Sequence, residues 1–220
     1  TLADILREMI DEAALEVVTR DVLHLPRIAV IALGRWGGCE LSYGSDADAL
    51  IVLPDDAGAA GTRAALSAVG TLRRLLAAPG PDPALEIDLD LRPEGKGGPM
   101  VRTLSSYRAY YERWAATWEA QALLRAGYGA GDTELADEFL AAVDPVRYPA
   151  GGLRPKQVTE IRKLKARMEA ERLPRGTDPK RNVKLGPGGL SDVEWVVQLM
   201  QLRHAGQLPE LRTPRTLAAL

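Results

Sequence analysis

The sequence predicts an α+β fold, with a small mixed sheet of short strands early in the chain and helices taking over beyond Leu104. Three stretches carry that expectation. Ile28-Ala-Val-Ile-Ala-Leu33 is a short apolar run closed by a glycine. Asp46-Ala-Asp-Ala-Leu-Ile-Val-Leu53 passes from acid/small alternation into a pure apolar run. Leu85-Glu-Ile-Asp-Leu-Asp-Leu91 alternates with the period of two that a pleated strand imposes.

Taken in order, Leu2 to about Leu25 spaces its apolar residues as an amphipathic helix does, and Pro26 stops it. Strand one runs to Gly34 and opens a glycine-rich turn. Strand two follows from Asp46 to Leu53, with Pro54-Asp-Asp-Ala-Gly58 as its closing loop. Thr62 to Ala78 is helical in pattern, and Pro79-Gly-Pro-Asp-Pro83 breaks it before strand three, Leu85–Leu91. Helices are then expected over Ser105–Ala126, Thr133–Val143, Lys156–Arg172 and Leu190–His204, separated by glycine and proline clusters at 148–152 and 185–189. The chain divides near residue 150, into a domain over 1–150 and the start of a helical domain over 151–220. A first residue Thr, and an end that resembles a helix cut off soon after its start, predict an excised piece of a longer protein.

Composition narrows the function classes. One cysteine, Cys39, rules out an internal disulfide, and two histidines allow no Cys/His zinc spacing, so a reducing cytoplasm is expected. No stretch reaches the roughly 20 apolar residues that span a bilayer. Lys and Arg total 28 against 30 Asp and Glu, which leaves no positive excess to hold a phosphate backbone, so nucleic acid is not the expected partner.

The chemistry-bearing residues are acidic. Asp46 and Asp48 occupy alternate positions of one strand and leave the same face, roughly 6.5 to 7 Å apart along the backbone. Taken alone, an Asp-x-Asp is an ordinary turn and strand start. Followed by an acid-faced strand bearing Glu86, Asp88 and Asp90, it becomes a candidate two-metal site with Asp88 as the third carboxylate, because like charges so packed repel without a cation. Magnesium suits an all-oxygen site shared with substrate phosphates. Ahead of these acids, Gly34, Gly37, Gly38 and Gly44 let backbone amides approach an anion, and a helix beginning near Gly38 is expected to add its positive end. The stretch matches neither the P-loop nor the dinucleotide fingerprint.

The chain resembles the adenylyltransferase family that modifies glutamine synthetase, in an actinobacterial-like form. The resemblance rests on four ordered motifs: Gly34-x-x-Gly-Gly-x-Glu-Leu-x-Tyr-Gly-Ser-Asp-x-Asp48, Ile87-Asp-x-x-Leu-Arg-Pro-x-Gly95, Trp118-Glu-x-Gln-Ala-Leu-x-Arg-Ala126, and Lys184-x-x-x-Gly-Gly-Leu-x-Asp-x-Glu194. It implies a polymerase-β-like nucleotidyltransferase domain followed by a truncated helical bundle. The implied reaction moves AMP from ATP to a tyrosine of glutamine synthetase, and the family's second domain performs phosphate-driven removal. Thr117-Trp-Glu-Ala-Gln-Ala-Leu-Leu-Arg-Ala126 is similar to the adenylylating, C-terminal half.

The same resemblance implies that Asp46, Asp48 and Asp88 hold magnesium, with Asp88 helping to draw the phenolic proton. Gly44 and Ser45 then offer donors to the triphosphate, and Arg92 and Lys96 are candidates for its oxygens. A PII-type signal protein is an implied regulator. Arg35, Cys39 and Asp90 depart from the family pattern, and Asp90 is expected either to face solvent or to reorganise the acidic stripe. Ser191 and Glu194 read as a capping box, which competes with any functional reading of Asp192 and Glu194. The competing functions are AMP removal and a non-catalytic nucleotide-sensing or docking module.

Overall fold

A computed structural model describes residues 26–79, 84–172, 176 and 178–220. The expected helix over Leu2–Leu25 lies outside the described residues. Among the described residues are five strands and seven α-helices. In order they are β1 (Ala29–Ala32), α1 (Gly34–Gly37), β2 (Ala47–Leu53), α2 (Gly58–Leu76), β3 (Ile87–Asp88), β4 (Val101–Thr103), α3 (Leu104–Trp114), α4 (Thr117–Leu123), β5 (Gly127–Gly131), α5 (Thr133–Arg147), α6 (Pro155–Arg172) and α7 (Leu190–His204).

The sheet is mixed, as the sequence predicts. Its order is β3-β2-β1-β5, with β4 also on β2. Antiparallel pairing joins β1 to β2 from Ala29↔Val52 to Ala32↔Ala49, and β1 to β5. Parallel pairing joins the leading end of β2 to β3 and its trailing end to β4. A strand paired on both edges and covered on both faces must be apolar throughout, and Leu50–Leu53 are all buried.

Alternation sorts β2 into two faces. Ala47, Ala49, Ile51 and Leu53 share a core cluster with Ala65, Val69, Leu72 and Leu76 of α2, whose 4-3-4 spacing is one helical stripe. The odd-numbered positions of β2 therefore face α2, which turns Asp48, Leu50 and Val52 to the opposite face.

Two expectations change here. Strand three shortens to Ile87–Asp88, because the chain turns immediately afterwards: the Asp90 N–H donates to Asp88 Oδ1 at 2.6 Å and Arg92 N–H to the Leu89 carbonyl at 3.1 Å. The single helix expected over Ser105–Ala126 is broken at Ala115-Ala116, where Glu119 Oε2 accepts the Ala116 N–H at 2.8 Å and starts α4. Beyond it lies β5, a strand the helical reading did not anticipate. Its Gly-Tyr-Gly-Ala-Gly sequence has no apolar alternation because small residues are needed there. A Cβ on Gly129 would stand 2.8 Å from the Val30 carbonyl oxygen, and one on Gly131, at φ +81°, would stand 2.2 Å from that of Ile28.

Helix starts are set by local caps. Thr103 Oγ1 accepts the Ser106 N–H at 3.3 Å, and Asp55 Oδ1 accepts that of Ser105 at 2.9 Å, which holds the Asp55 carboxyl below its ordinary range. At α5, Asp132 Oδ1 accepts the Leu135 N–H at 2.9 Å while Arg27 donates to both Asp132 oxygens at 2.5 and 2.8 Å. The Arg27 hydrogen bond is the larger cause that brings the Asp132 carboxyl down to about 2.

The chain forms two compact units. One ends at Ala115 and resumes over Arg125–Asp144, and the other comprises Ala116–Leu124 with Pro145–Leu220. Helix α4 thus belongs to the helical unit, which a single cut near residue 150 does not anticipate. In that unit Ala120, Leu124, Tyr148, Ile161, Leu202 and Ala205 form the core. Gln201 Nε2 ties down the last segment by donating to the Leu211 and Thr213 carbonyls at 2.8 and 2.7 Å. No described helix is long and apolar enough to cross a membrane.

Candidate active site

The register of β2 and β3 brings two of the three predicted acids together. Asp48 and Asp88 are direct partners across parallel strands, so both side chains leave the same face, the one turned away from α2. Adjacent strands lie about 4.8 Å apart, which puts the two carboxylates side by side. Asp46 sits one residue ahead of β2 and is exposed, and Asp48 and Asp88 are half-buried. Among the described residues no three acidic, His or Cys side chains already converge on one point. The donor set is nonetheless all-oxygen and carboxylate, which suits magnesium, and two like charges in register are costly until a cation joins them. The residues fit the ion, with Asp46 as the exposed member.

The turn between β1 and β2 packs against this pair. Leu33 N–H donates to the Asp48 carbonyl at 2.8 Å, and Gly34 follows at φ +50°. A Cβ at Gly34 would fall 2.1 Å from Asp48 Oδ2, so only glycine fits beside that carboxylate. The short helix α1 begins at Gly34 and ends at Gly37 with Gly38 as its C-cap, which reverses the expected helix start. The Gly37 and Gly38 amides are consequently taken by the Leu33 and Gly34 carbonyls, at 2.7 and 3.2 Å, instead of facing an anion. Gly37 serves packing, since a Cβ there would meet the Arg125 carbonyl oxygen at 1.8 Å. Gly44, at φ +72° with open space around it, and Ser45, whose Oγ lies 2.8 Å from that of Ser42, remain at the accessible end of the turn.

Beyond β3 the loop organises itself around Arg92. The guanidinium is buried and donates to the carbonyls of Gly98, Leu89 and Lys96 at 2.8, 2.8 and 3.0 Å, and to Asp90 Oδ1 at 3.3 Å. Its first role is therefore to fold residues 89–98, not to reach outward to phosphate. Asp90 is paired with Arg92 and with the exposed Lys96 Nζ, each at 3.3 Å, so it leaves the acidic stripe instead of crowding it. Glu86 is exposed, and its carbonyl accepts the Ala47 N–H at 2.8 Å.

A sequence model of the glutamate-ammonia ligase adenylyltransferase family matches residues 2–142. The chain belongs to this family. A PII-uridylyltransferase model matches residues 161–220. Among curated relatives, a bifunctional glutamine synthetase adenylyltransferase/adenylyl-removing enzyme of Cutibacterium acnes is 59% identical over 219 residues, covering 100% of this chain and 22% of the relative. Proteins of the same name from Streptomyces coelicolor and Mycolicibacterium smegmatis are 56% and 53% identical, covering 100% and 95% of this chain and 22% of each relative. The chain thus spans about a fifth of the length of the curated relatives it matches.

In this adenylyltransferase-family chain, residues quoted only as motif members acquire positions. Glu40, from the first motif, and Arg125, from the third, form an ion pair, and Arg125 Nε also donates to the Gly34 carbonyl at 2.7 Å. Neither stood out as a functional residue in the sequence. Each is a named member of a different motif, and that is the signal that finds them. In the helical unit the fourth motif closes a loop: Asp192 Oδ2 accepts the Gly188 N–H at 2.7 Å, and Oδ1 pairs with Lys165, which also holds Glu169. The Lys165 hydrogen bond is the main cause that lowers the Asp192 carboxyl from its ordinary value. The expected Ser191 capping box is not formed. Gly189 is the N-cap of α7 and Ser191 is buried, so Asp192 takes over the capping of the preceding turn.

Proposed function

We propose that this chain is the nucleotidyltransferase part of an enzyme that moves AMP from ATP to a tyrosine hydroxyl of glutamine synthetase, releasing pyrophosphate. The single observation that carries the reading is the register that sets Asp48 beside Asp88, with Gly34 packed on the Asp48 carboxylate. Family membership supplies the reaction class, and the relatives' names supply glutamine synthetase as the protein substrate. The match of residues 161–220 to a PII-uridylyltransferase model supports a PII-type signal protein as regulatory partner. A cytoplasmic location and the domain boundary near residue 150 are part of the same reading.

Asp46, Asp48 and Asp88 would hold magnesium, which when bound neutralises triphosphate charge and acts as a Lewis acid at the transferred phosphoryl group. The residues themselves do the rest. Gly44 and Ser45, at the accessible end of the turn, orient the triphosphate. Gly34, Gly37 and Gly38 shape the turn that carries it, and Lys96 and Arg92 stabilise the loop alongside. A tyrosine phenol has an unperturbed pKa of about 10 and is protonated at neutral pH. Asp88 keeps Oδ1 on the Asp90 amide, so Oδ2 is the oxygen that accepts the phenolic proton as the phenol oxygen attacks phosphorus.

The test is incubation with magnesium, α-labelled ATP and unmodified glutamine synthetase, beside an Asp46→Ala, Asp48→Ala double variant. Label on glutamine synthetase that vanishes in the variant is the expected result. Phosphate-dependent release of AMP from premodified glutamine synthetase, without labelling, would replace this reading with the removal reaction that the relatives' names also contain. Inactivity in both assays would leave a docking or sensing module.

A further inference from the structure

We propose that Arg125 is a positioning residue, holding the Gly34 turn against Asp48 through a bridge to Glu40. The assignment rests on the adenylyl-transfer reading above. Arg125 lies two residues ahead of β5, and its side chain is only 7% exposed. From there it grips the turn at three points. Its Nε donates to the Gly34 carbonyl at 2.7 Å, its Nη2 pairs with the Glu40 carboxylate, and its own carbonyl lies where a Gly37 Cβ would be, 1.8 Å away.

These contacts bracket the turn. Gly34 opens its short helix α1 and Glu40 lies just past that helix, where the Glu40 N–H returns to the Arg35 carbonyl at 2.8 Å. A planar guanidinium can satisfy a carbonyl and a carboxylate at once, whereas a lysine ammonium is a point charge on a flexible stem. The grip reaches the reacting groups through one more contact, because Gly34 has no Cβ and the Asp48 carboxylate rests in that space. Were the turn to drift outward, Asp48 would lose the wall that fixes it beside Asp88. Arg125 therefore acts on the acids through the turn, by way of Gly34 and Glu40.

The test uses the full chain as Arg125→Gln, Arg125→Lys and Glu40→Gln. Cys39, the sole cysteine of the chain and exposed within the turn, is labelled with a fluorophore in each. Arg125→Gln is expected to lower kcat roughly 100-fold, the scale on which a misplacement of about 1 Å acts, while KM for ATP changes by less. Mn2+ titrated alone should bind roughly tenfold more weakly, and the anisotropy of the Cys39 label should fall. Arg125→Lys should behave like the Gln variant, because it keeps charge and loses the bridge.

Wild-type kcat, Mn2+ affinity and anisotropy in Arg125→Gln would overturn the assignment. So would full recovery in Arg125→Lys, which would mean that charge alone matters. If Arg125→Gln fails to fold, Glu40→Gln decides, since it preserves shape: a shift in the same direction supports the bridge and wild-type behaviour overturns it. A wild-type protein without adenylyl transfer would instead fail the functional reading. Mn2+ affinity and label anisotropy would still report on the clamp.

Discussion

At the scale of single residues, the Asp48–Asp88 pair has two opposed effects. Side by side without a cation, the carboxylates repel and cost stability; with one, they attract it and the protein gains binding free energy. Asp48→Asn or Asp88→Asn should therefore abolish the upward shift of the thermal midpoint that the wild type shows on adding magnesium. Calorimetry with and without magnesium checks this, and an equal magnesium shift in wild type and variant would remove the ion from these residues. The same variants should lower kcat on the order of 100-fold or more, several kcal/mol of transition-state stabilisation. Gly34 and Gly44 offer a matched comparison. Both have positive φ, of +50° and +72°, but only Gly34 faces a neighbour, Asp48 Oδ2. Alanine at Gly44 should cost the roughly 1–2 kcal/mol of left-handed strain and raise KM for ATP, whereas Gly34→Ala should in addition lower kcat through the displaced Asp48 carboxylate. Urea denaturation beside a labelling assay separates the two.

At the scale of elements, legibility followed side-chain chemistry. Strands β1 and β2 and helices α2 and α5 were readable because their apolar residues mark the buried positions directly. Helix α7 was readable instead from its length and bounding glycines, since it buries Ser191 and Gln201 and exposes Val193, Val196 and Met200. Strand β5 was not, since its place at the sheet edge depends on backbones approaching too closely for any side chain, and a run of glycines looks like a turn until its partner is known. Strand β3 was overextended for a related reason: alternation continues through Asp90, yet the Asp88 carboxylate captures the Asp90 amide and ends the strand. The candidate site divides the same way. Asp48 and Asp88 were legible as strand acids, whereas the inward donors of Arg92 and the Glu40–Arg125 pair depend on loop geometry that no local pattern encodes. The β5 argument is testable at Gly131, where φ is +81° and a Cβ would meet the Ile28 carbonyl oxygen at 2.2 Å. Gly131→Ala should destabilise by about 2–4 kcal/mol, strain and backbone displacement together, whereas Ala at Gly70, an exposed helical glycine with open space around it, should stabilise by up to about 1 kcal/mol. Equal midpoints in urea for the two variants would mean that the edge strand yields without cost.

At the scale of the molecule, each compact unit carries its own depressed carboxylate, which fixes how the protein responds to acid. Asp132, brought down to about 2 by Arg27, caps α5 in the sheet unit. Asp192, lowered chiefly by Lys165, ties the loop before α7 in the helical unit. A carboxyl whose folded pKa lies below its unfolded value of about 3.9 contributes stability that is fully present above that value and is lost as pH falls through the folded one. The sheet unit should therefore lose stability from about pH 5 toward pH 2 as Asp132 protonates, and the helical unit should lose stability as pH falls below the ordinary carboxylate range. Lys165 acts oppositely: although burial works against its charge, its bonds to Asp192 and Glu169 raise its pKa overall, so its contribution persists below the unfolded value and fades only at strongly alkaline pH. Asp132→Asn separates charge from capping, because asparagine keeps an oxygen for the Leu135 amide. That variant should be less stable than wild type at pH 7 and converge with it near pH 2, and Asp192→Asn should be less stable at pH 7 and close the gap as pH falls. Arg27 is about half exposed, so the effect at Asp132 should shrink in 1 M salt, while the better-shielded Lys165–Asp192 pair, whose lysine is 17% exposed, should hold more of its contribution. Circular dichroism melts of the three proteins from pH 7 to pH 2, at low and high salt, give the comparison. Midpoints in the wild type that ignore pH across this window would show that neither ion pair contributes to holding its unit together.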